Sequence, residues 1–151
     1  MATAYLGLGT NLGDKSKNIT TAVKLLERTG TILALSRFYE NPPWGFESEN
    51  EFLNAVLAIE TMLPPHELLD ITQHIEREMG RTQKTSAAYH DRIIDIDILL
   101  YDDIILHTTR LILPHPFMHK RCFVIVPFAE IAPSLSHPVL KKTIGELALS
   151  F

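Results

Sequence analysis

The sequence has one cysteine and no long apolar run, and each of these absences excludes a class of protein. Because Cys122 is the single cysteine, the chain can form no internal disulfide and has no paired-cysteine metal motif. No apolar run approaches the ~18 residues that a membrane helix needs. The first residues, MATAYLGLGT, also lack the basic stretch and apolar core of a signal peptide. We therefore expect a soluble, cytoplasmic protein that does not bind membranes.

An excess of basic charge is also lacking. The formal net charge is -4 and the pI is about 5.9, which argues against broad nucleic-acid binding because that requires a basic face. An anionic small molecule is still a possible ligand, since a local cluster of arginines can lie on an acidic protein. The 151 residues and the hydrophobic fraction of 46% fit a single domain, 1–151, with a sizeable core. We expect a monomer.

The order of apolar patterns predicts an α+β fold. Strands are predicted over four stretches, 3–9, 31–40, 51–61 and 93–100. Helices are predicted over two, from an N-cap at Asn18 to Gly30 and from Pro64 to Gly80. This β-α-β-β-α-β order is typical of ferredoxin-like folds, in which helices cover one face of an antiparallel sheet. C-terminal additions are predicted as a short strand near 104–106, a helix near 118–126 and a helix from Thr143.

One predicted strand carries two carboxylates in a segment that otherwise reads as buried. In DRIIDIDILLYDD, Asp95 and Asp97 point to the same face, and the isoleucines that alternate with them point to the other. Like charges held side by side repel unless a cation lies between them. Such a pair suits Mg²⁺, which accepts a few carboxylates and leaves positions for phosphate oxygens and water. Two ions could clamp a phosphoryl group during transfer. The alternative is an edge strand whose acidic face is simply solvated.

Basic side chains lie on both sides of this strand in the sequence. They are Arg81, Lys84 and Arg92 before it and Arg110, His115, Lys120 and Arg121 after it. Because guanidinium groups bind phosphate through paired hydrogen bonds, their position around a carboxylate pair favours a metal–polyphosphate site, although a solvated surface is also rich in Arg and Lys. The sequence has no Walker-type glycine loop with its lysine, which excludes a P-loop.

Several segments, which together span nearly the whole chain, match one family in order. They are GLGTNLGD, FYENPPWG, FLNAV, IEREMGR, and DRIIDIDILLYDD followed by LPHPFMHKRCFVIVPFAEIAP. In these motifs the chain resembles the 6-hydroxymethyl-7,8-dihydropterin pyrophosphokinases of folate biosynthesis. The resemblance implies an ATP-dependent enzyme that transfers an intact pyrophosphoryl group to the hydroxymethyl oxygen of the pterin and releases AMP.

The resemblance also implies the site residues. The catalytic set is Asp95, Asp97, Arg81 and Arg92, and the two aspartates match the ligands of two Mg²⁺ ions. The implied ATP-binding residues are Leu69, Gln73, Glu76, Ile98, Arg110, His115 and Arg121. The implied pterin-binding residues are Asn41, Pro42, Pro43, Trp44, Phe52, Asn54, Tyr89 and Phe123. A flat heteroaromatic ring favours aromatic partners, although without the motifs Phe52 and Phe123 would be interpreted as core residues.

Some positions depart from the family pattern. Thr10 replaces the usual Ser of GSNLG, and Gln83 stands where a second loop arginine is common. YHDR, at 89–92, replaces the common Trp-Gly-Pro-Arg. These changes remove one possible phosphate contact and alter the loop that precedes the aspartate strand.

Two other functions remain as alternatives at this stage. A non-catalytic ferredoxin-like module that binds a small ligand or RNA would need, for RNA, a basic sheet face with exposed aromatics. A two-metal nucleotidyl transferase of the palm type also uses strand aspartates, but it leaves NPPWG, FLN and Phe123 unexplained. The products separate them, because a palm enzyme releases pyrophosphate and a pyrophosphokinase releases AMP.

Overall fold

The structure, a computed structural model, describes residues 1–41, 51–80 and 93–151. Its strands are β1 (Ala2–Thr10), β2 (Gly30–Leu35), β3 (Tyr39–Asn41), β4 (Phe52–Thr61), β5 (Asp95–Tyr101), β6 (Leu106–His107) and β7 (Ile112–Leu113). Its α-helices are α1 (Lys15–Leu26), α2 (Pro65–Glu78), α3 (Cys122–Ile131) and α4 (Ile144–Ala148). Short 3-10 helices lie at Glu27–Thr29 and Met118–Lys120.

The main sheet is antiparallel and has the strand order β2-β4-β1-β5. β3 also pairs with β4, next to the point where β2 ends. β4 is thus inserted between β1 and β2, the two strands that α1 connects, which is the arrangement of a split β-α-β unit. The predicted ferredoxin-like α+β fold is confirmed. The aspartate strand β5 pairs with β1 and forms one edge of this sheet.

The prediction of one continuous strand over 31–40 was wrong, because the chain divides into β2 and β3 at Ser36. The Ser36 N–H donates to Val56 O (2.9 Å), and the Ser36 hydroxyl accepts from Val56 N (2.9 Å). The Ser36 hydroxyl therefore takes the place of a backbone carbonyl as a hydrogen-bond acceptor in the sheet, and the strand is interrupted. The break lets β3 resume pairing with β4 at its other end, beside the functional residues described below.

The N-cap of α1 also differs from the prediction. Asp14 caps the helix, with its carboxylate accepting from Lys17 N at 3.2 Å. The predicted cap, Asn18, instead lies in the first turn and donates its side-chain amide to Leu12 O (2.7 Å) and to the Thr10 hydroxyl (3.1 Å). Asp and Asn are both good caps, and here Asn18 holds the turn that joins β1 to α1.

Both faces of the sheet are covered, although helices were predicted on one face only. α1 and α2 enclose the larger core, whose central members are Leu6, Leu8, Ile19, Leu57, Leu68, Ile96 and Ile98. α3 and α4 enclose a second core on the opposite face, with Val56, Leu99, Ile125, Phe128 and Ile144. Neighbouring strand residues belong to different cores because side chains alternate across a sheet. The α3 face is the one that Asp95 and Asp97 share with Leu99.

The C-terminal additions follow the predictions with shifts of a few residues. β6 lies slightly later than predicted and pairs with β7 in a small hairpin. The helix predicted near 118–126 is a 3-10 turn followed by α3. Thr143 and Glu146 form the expected capping box at the start of α4. None of the helices in the described segments is long and apolar enough to span a membrane.

Gly30 allows the close approach of β2 to β4. A Cβ atom at this position would lie 2.1 Å from the Glu60 carbonyl oxygen, so Gly30→Ala must push the two strands apart. We expect the free energy of unfolding, measured by urea denaturation, to fall by about 3 kcal/mol.

Gly7→Ala is the matched control for this change. It is also a strand glycine, but its added Cβ would meet only the Leu99 side chain, at an ordinary distance of 3.5 Å. Equal losses of stability in the two variants would contradict the prediction.

Candidate active site

A cleft of about 550 Å³, which we call pocket A, opens on the α3 face of the sheet. Its floor and walls come from β1, β3, β4, β5 and the start of α3. The lining residues are Gly7, Leu8, Gly9, Asn41, Phe52, Asn54, Ala55, Val56, Asp95, Asp97, Arg121, Phe123 and Val124. Aromatic rings, amides, carboxylates and a guanidinium group therefore meet in one cavity that is built largely on rigid strands.

Two glycines of β1 leave the floor of pocket A open beside the aspartates. Gly7 pairs with Asp97 across the β1–β5 ladder, and Gly9 pairs with Asp95. Paired residues of neighbouring strands point to the same face, so any side chain at these positions would stand next to a carboxylate. Glycine in a strand interior is unfavourable unless something approaches the backbone closely. The GLG pattern therefore creates a flat main-chain surface next to two negative charges.

An amide pair forms the opposite wall of pocket A. Asn41 on β3 donates from Nδ2 to Asn54 Oδ1 on β4 at 2.8 Å, and Asn54 Nδ2 lies 3.5 Å from Leu8 O. Asn41 Oδ1 is buried and has no hydrogen-bond partner among the described residues. Because an unsatisfied buried acceptor is costly, this oxygen is suited to a donor on a bound ligand.

Arg121 brings a buried positive charge to pocket A. The residue is only 5% exposed, and its guanidinium carbon lies 5.5 Å from the centre of the Phe117 ring and 5.8 Å from that of Phe123. Burial lowers the pKa of Arg121 from its usual value, although a guanidinium remains protonated in proteins. Aromatic faces attract this cation, and its charge favours an anionic ligand in the same cavity as Asp95 and Asp97.

A second cleft of about 880 Å³, pocket B, lies between α2, β5 and the β6–β7 hairpin. Its lining residues are Leu69, Gln73, Ile96, Asp97, Ile98, Thr108, Thr109, Arg110, Leu111, Ile112, His115 and Pro116. Asp97 is common to both clefts. Asp97 therefore lies at the boundary of both cavities, whereas Asp95 lines pocket A.

Side chains of α2 hold the hairpin wall of pocket B in place. His66 and Thr108 form a hydrogen bond between ring Nε2 and hydroxyl (2.9 Å), and Asp70 pairs with Arg110. Since His66 and Asp70 are one helical turn apart, they present neighbouring side chains to the hairpin. On the β5 side, His115 N donates to Leu99 O at 2.9 Å.

Comparison with known proteins identifies the family to which this geometry belongs. Residues 5–133 match the model of the 7,8-dihydro-6-hydroxymethylpterin-pyrophosphokinase (HPPK) family. The chain belongs to this family. A similar curated protein is the 2-amino-4-hydroxy-6-hydroxymethyldihydropteridine pyrophosphokinase of Porphyromonas gingivalis, 52% identical over 91% of this chain and 95% of its own length. The enzyme of the same name from Aquifex aeolicus is 44% identical over 97% of this chain and 90% of its own length.

Solved structures confirm the fold of this HPPK-family chain. A crystal structure of Plasmodium falciparum HPPK-DHPS with pteroate superposes with a TM-score of 0.80 at 17% identity and covers 99% of this chain. Another HPPK-DHPS, crystallised in complex with substrates, gives a TM-score of 0.79 at 19% identity. The chain spans less than half of each of these longer proteins, 44% and 43%.

The structure places many of the predicted site residues in one or other of the two pockets. Pocket A contains the predicted pterin-binding residues Asn41, Phe52, Asn54 and Phe123. Pocket B contains the predicted ATP-binding residues Leu69, Gln73, Ile98, Arg110 and His115. Arg121, predicted to bind ATP, lines pocket A instead. The predictions for Pro42, Pro43, Trp44, Arg81, Tyr89 and Arg92 lie outside the described residues.

Glu76 lies in neither pocket, although it was predicted to bind ATP. It is 3% exposed, and its carboxylate accepts from Ile96 N at 2.9 Å. Ile96 is the residue between the two aspartates, so Glu76 anchors the outer edge of β5 where the metal-binding pair is predicted. Helical spacing correctly predicted that Glu76 lies near Gln73 on α2. Spacing alone does not show which of the two side chains is buried.

Sequence reasoning missed several lining residues. Gly7 and Gly9 had a readable signal, since two glycines inside a strand indicate a close approach to the backbone. Thr108, Leu111 and Val124 had none, because they reach the pockets through the placement of the hairpin and of α3.

The donor chemistry of Asp95 and Asp97 fits Mg²⁺ bound together with a phosphorylated ligand. In residues 1–41, 51–80 and 93–151, no group of three or more His, Cys, Asp or Glu side chains could hold a metal ion. Two carboxylates leave most positions of an octahedral ion to phosphate oxygens and water, which is the usual way proteins bind Mg²⁺ with nucleotides. The half-buried strand face and the nearby Arg121 suit that arrangement.

The hydrogen bond from Ile96 N to Glu76 can be tested by its effect on stability. Glu76→Met removes the acceptor and leaves a buried N–H without its partner, so we expect a loss of about 2 kcal/mol in the free energy of unfolding. Glu76→Gln, which keeps a carbonyl oxygen, is the matched control and should lose less than half of that amount. Denaturation by guanidinium measures both, and equal losses in the two variants would show that the acceptor does not matter.

Proposed function

We propose that pockets A and B hold the two substrates of the family reaction and present them to each other at Asp97. The chain is a pterin pyrophosphokinase that transfers the pyrophosphoryl group of ATP to 6-hydroxymethyl-7,8-dihydropterin, giving the pterin diphosphate and AMP in folate biosynthesis. The observation that carries the site assignment is that Asp97 lines both clefts. A transfer between two ligands requires their reacting groups to meet, and the clefts join where the carboxylates lie.

Pocket B suits the nucleotide. Its lining includes apolar side chains of α2, β5 and the hairpin, namely Leu69, Ile98 and Leu111, and β5 is an edge strand of the sheet. Along that edge, Ile96 N donates to Glu76 and Leu99 O accepts from His115 N, and Ile98 lies between these two bonds. A strand edge offers an N–H and a carbonyl side by side, which matches the acceptor and donor of an adenine edge. Arg110 and His115 line the same cleft, and their side chains are suited to contact with phosphate oxygens.

Pocket A suits the pterin. Phe52 and Phe123 offer aromatic faces to a flat ring, and Asn41 and Asn54 offer amides to its polar edge. The glycine floor lets such a ring lie close to the backbone. Its hydroxymethyl group would then point toward the aspartates, where the phosphate chain of ATP arrives from pocket B.

The chemistry follows from positioning and charge. The hydroxymethyl oxygen forms a bond to the β-phosphorus of ATP while the bond from the β-phosphorus to the α–β bridging oxygen breaks. AMP leaves with that oxygen, and the proton of the hydroxymethyl group is released to water. Bound Mg²⁺, of which we propose two ions held by Asp95 and Asp97, would neutralise phosphate charge and polarise the attacking hydroxyl. Arg121 contributes a fixed positive charge, and in-line placement of the two substrates lowers the barrier further.

We further propose that the chain is a monomer that acts as a single domain in the cytoplasm.

The alternative of an RNA-binding module is disfavoured by the second core. Such a module would need a free sheet face, and here α1 and α2 cover one face and α3 and α4 the other. The open part of the α3 face that forms pocket A carries two carboxylates, which do not favour a polyanion. The palm-type alternative predicts a different product, because a palm enzyme releases pyrophosphate and a pyrophosphokinase releases AMP.

The role of Asp97 is tested by Asp97→Ala. Because the carboxylate is replaced at the junction of the two pockets, AMP formation in the presence of ATP, Mg²⁺ and hydroxymethyl dihydropterin should fall by roughly a thousandfold, with the fold retained. Asp103→Asn removes an exposed carboxylate that lines neither pocket and should keep the parent rate. Turnover of Asp97→Ala near the parent rate would refute the metal assignment, and release of pyrophosphate by the parent protein would refute the reaction.

The glycine floor of pocket A is tested by Gly9→Ala. A Cβ at Gly9 would lie 2.9 Å from Asn54 Nδ2, so the amide pair must move. We expect the KM for the pterin to rise about tenfold, as for the loss of one hydrogen bond, and the KM for ATP to change by less than about twofold. Gly145→Ala is the control, because its Cβ would also be crowded (3.0 Å from Pro133 O) but outside both pockets. Equal effects on the two KM values would count against the assignment of pocket A.

A further inference from the structure

A carboxylate at the end of α3 joins two walls of pocket A from outside the cavity. Glu130 accepts from the backbone N–H of Arg37 with both carboxylate oxygens, each at 3.1 Å. The Tyr39 hydroxyl donates to Glu130 Oε1 at 2.5 Å, and Arg37 Nε lies 3.4 Å from the same oxygen. The pKa of the Glu130 carboxyl is lowered, chiefly by the hydrogen bond from Tyr39. The Glu130 side chain is therefore charged at neutral pH. We call Glu130, Arg37 and Tyr39 the Glu130 clamp.

The clamp connects β3 to α3, and each of these elements carries residues of pocket A. Tyr39 and Asn41 are two residues apart on β3 and point to the same face, where they stand opposite Asn54 and Phe52. α3 begins with Phe123 and Val124, which line the cavity. Glu130 lies at the other end of α3. One carboxylate therefore holds the strand that presents Asn41 against the helix that presents the aromatic wall.

β3 is a short strand whose backbone pairing is limited. It is three residues long and, within the described segments, its ladder partner is β4, after the break in the ladder at Ser36. Short strands at a sheet edge are among the least stable parts of a fold. The clamp is partly exposed, and exposed ion pairs contribute little to global stability. Its main effect is therefore on where β3 lies and not on whether the chain folds.

We propose that Glu130 is a positioning residue for the ligand of pocket A. By holding Arg37 N and the Tyr39 hydroxyl, it fixes β3 so that the Asn41–Asn54 amide pair is in place before the ligand enters. Glu130 touches neither substrate and acts through Asn41. The inference rests on the proposed function in one respect, namely that the ligand of pocket A is the pterin.

Two measurements on Glu130→Ala test the clamp. The first is the NMR position of the Asn41 and Asn54 side-chain amide signals without ligand, which requires no assumption about function; we expect both to shift. The second is calorimetric titration with 6-hydroxymethylpterin in the presence of Mg²⁺ and α,β-methylene-ATP, which cannot transfer its pyrophosphoryl group. We expect the Kd for the pterin to rise about tenfold, and the Kd for the nucleotide analogue to change by less than about twofold.

Further variants show how much each hydrogen bond of the clamp contributes to pterin affinity, and they distinguish this effect from a loss of stability. Tyr39→Phe removes one of the bonds and should give an intermediate rise in the pterin Kd. Glu130→Gln keeps one carbonyl acceptor and should recover part of the affinity that Glu130→Ala loses. The matched control is Glu146→Ala, which also removes an exposed carboxylate bonded to a backbone N–H, that of Thr143 at 3.0 Å, but on α4 and outside both pockets. It should lower Tm and leave the pterin Kd unchanged.

Three results would overturn the proposal. They are unshifted Asn41 and Asn54 signals in Glu130→Ala, an unchanged pterin Kd in that variant, and an equal rise of the pterin Kd in Glu146→Ala. Failure of the proposed function gives a different pattern, because the parent protein would then bind no pterin while the amide signals would still report on the clamp.

Discussion

Asp95 and Asp97 place two carboxylates on the same face of β5, at positions only two residues apart. Carboxylates held this close are stabilised by a nearby cation, and the features around them suit one. Arg121 brings a buried positive charge to the same cavity, Glu76 secures the backbone between the two aspartates, and the glycines of β1 leave room beside them. A phosphate–metal complex is the ligand that such a charge distribution fits best.

The antiparallel sheet is what keeps these groups in a fixed relation. Strand pairing sets Gly9 beside Asp95 and Gly7 beside Asp97, and the rigid ladder prevents either pair from drifting. The shorter pieces, β3 and the β6–β7 hairpin, form the rims and are also held by side chains, those of Glu130 in one case and of His66 and Asp70 in the other. The floor is thus determined by backbone hydrogen bonds, and the rims are determined by polar side-chain contacts that cost little to break.

Local patterns in the sequence were enough for the α+β class, the second helix, the capping box of α4 and the shared face of the aspartates. They failed where a side chain competes with the backbone, as Ser36 does when it divides β2 from β3, or where two residues are equally good caps, as with Asp14 and Asn18. They also failed for residues such as Val124 and Leu111, which reach the pockets through tertiary placement alone. Glu76 shows the same limit, because periodicity identifies a helical face but not which polar side chain on it becomes buried.

The bare floor of pocket A has a consequence for inhibition. A compound that competes with the pterin by lying flat on Gly7 and Gly9 contacts main-chain atoms, which most substitutions leave unchanged. A side chain added at Gly9 would collide with Asn54, the residue that also faces the natural substrate in our proposal. A resistance substitution at Gly9 would therefore also disturb the residue on which the enzyme's own substrate depends.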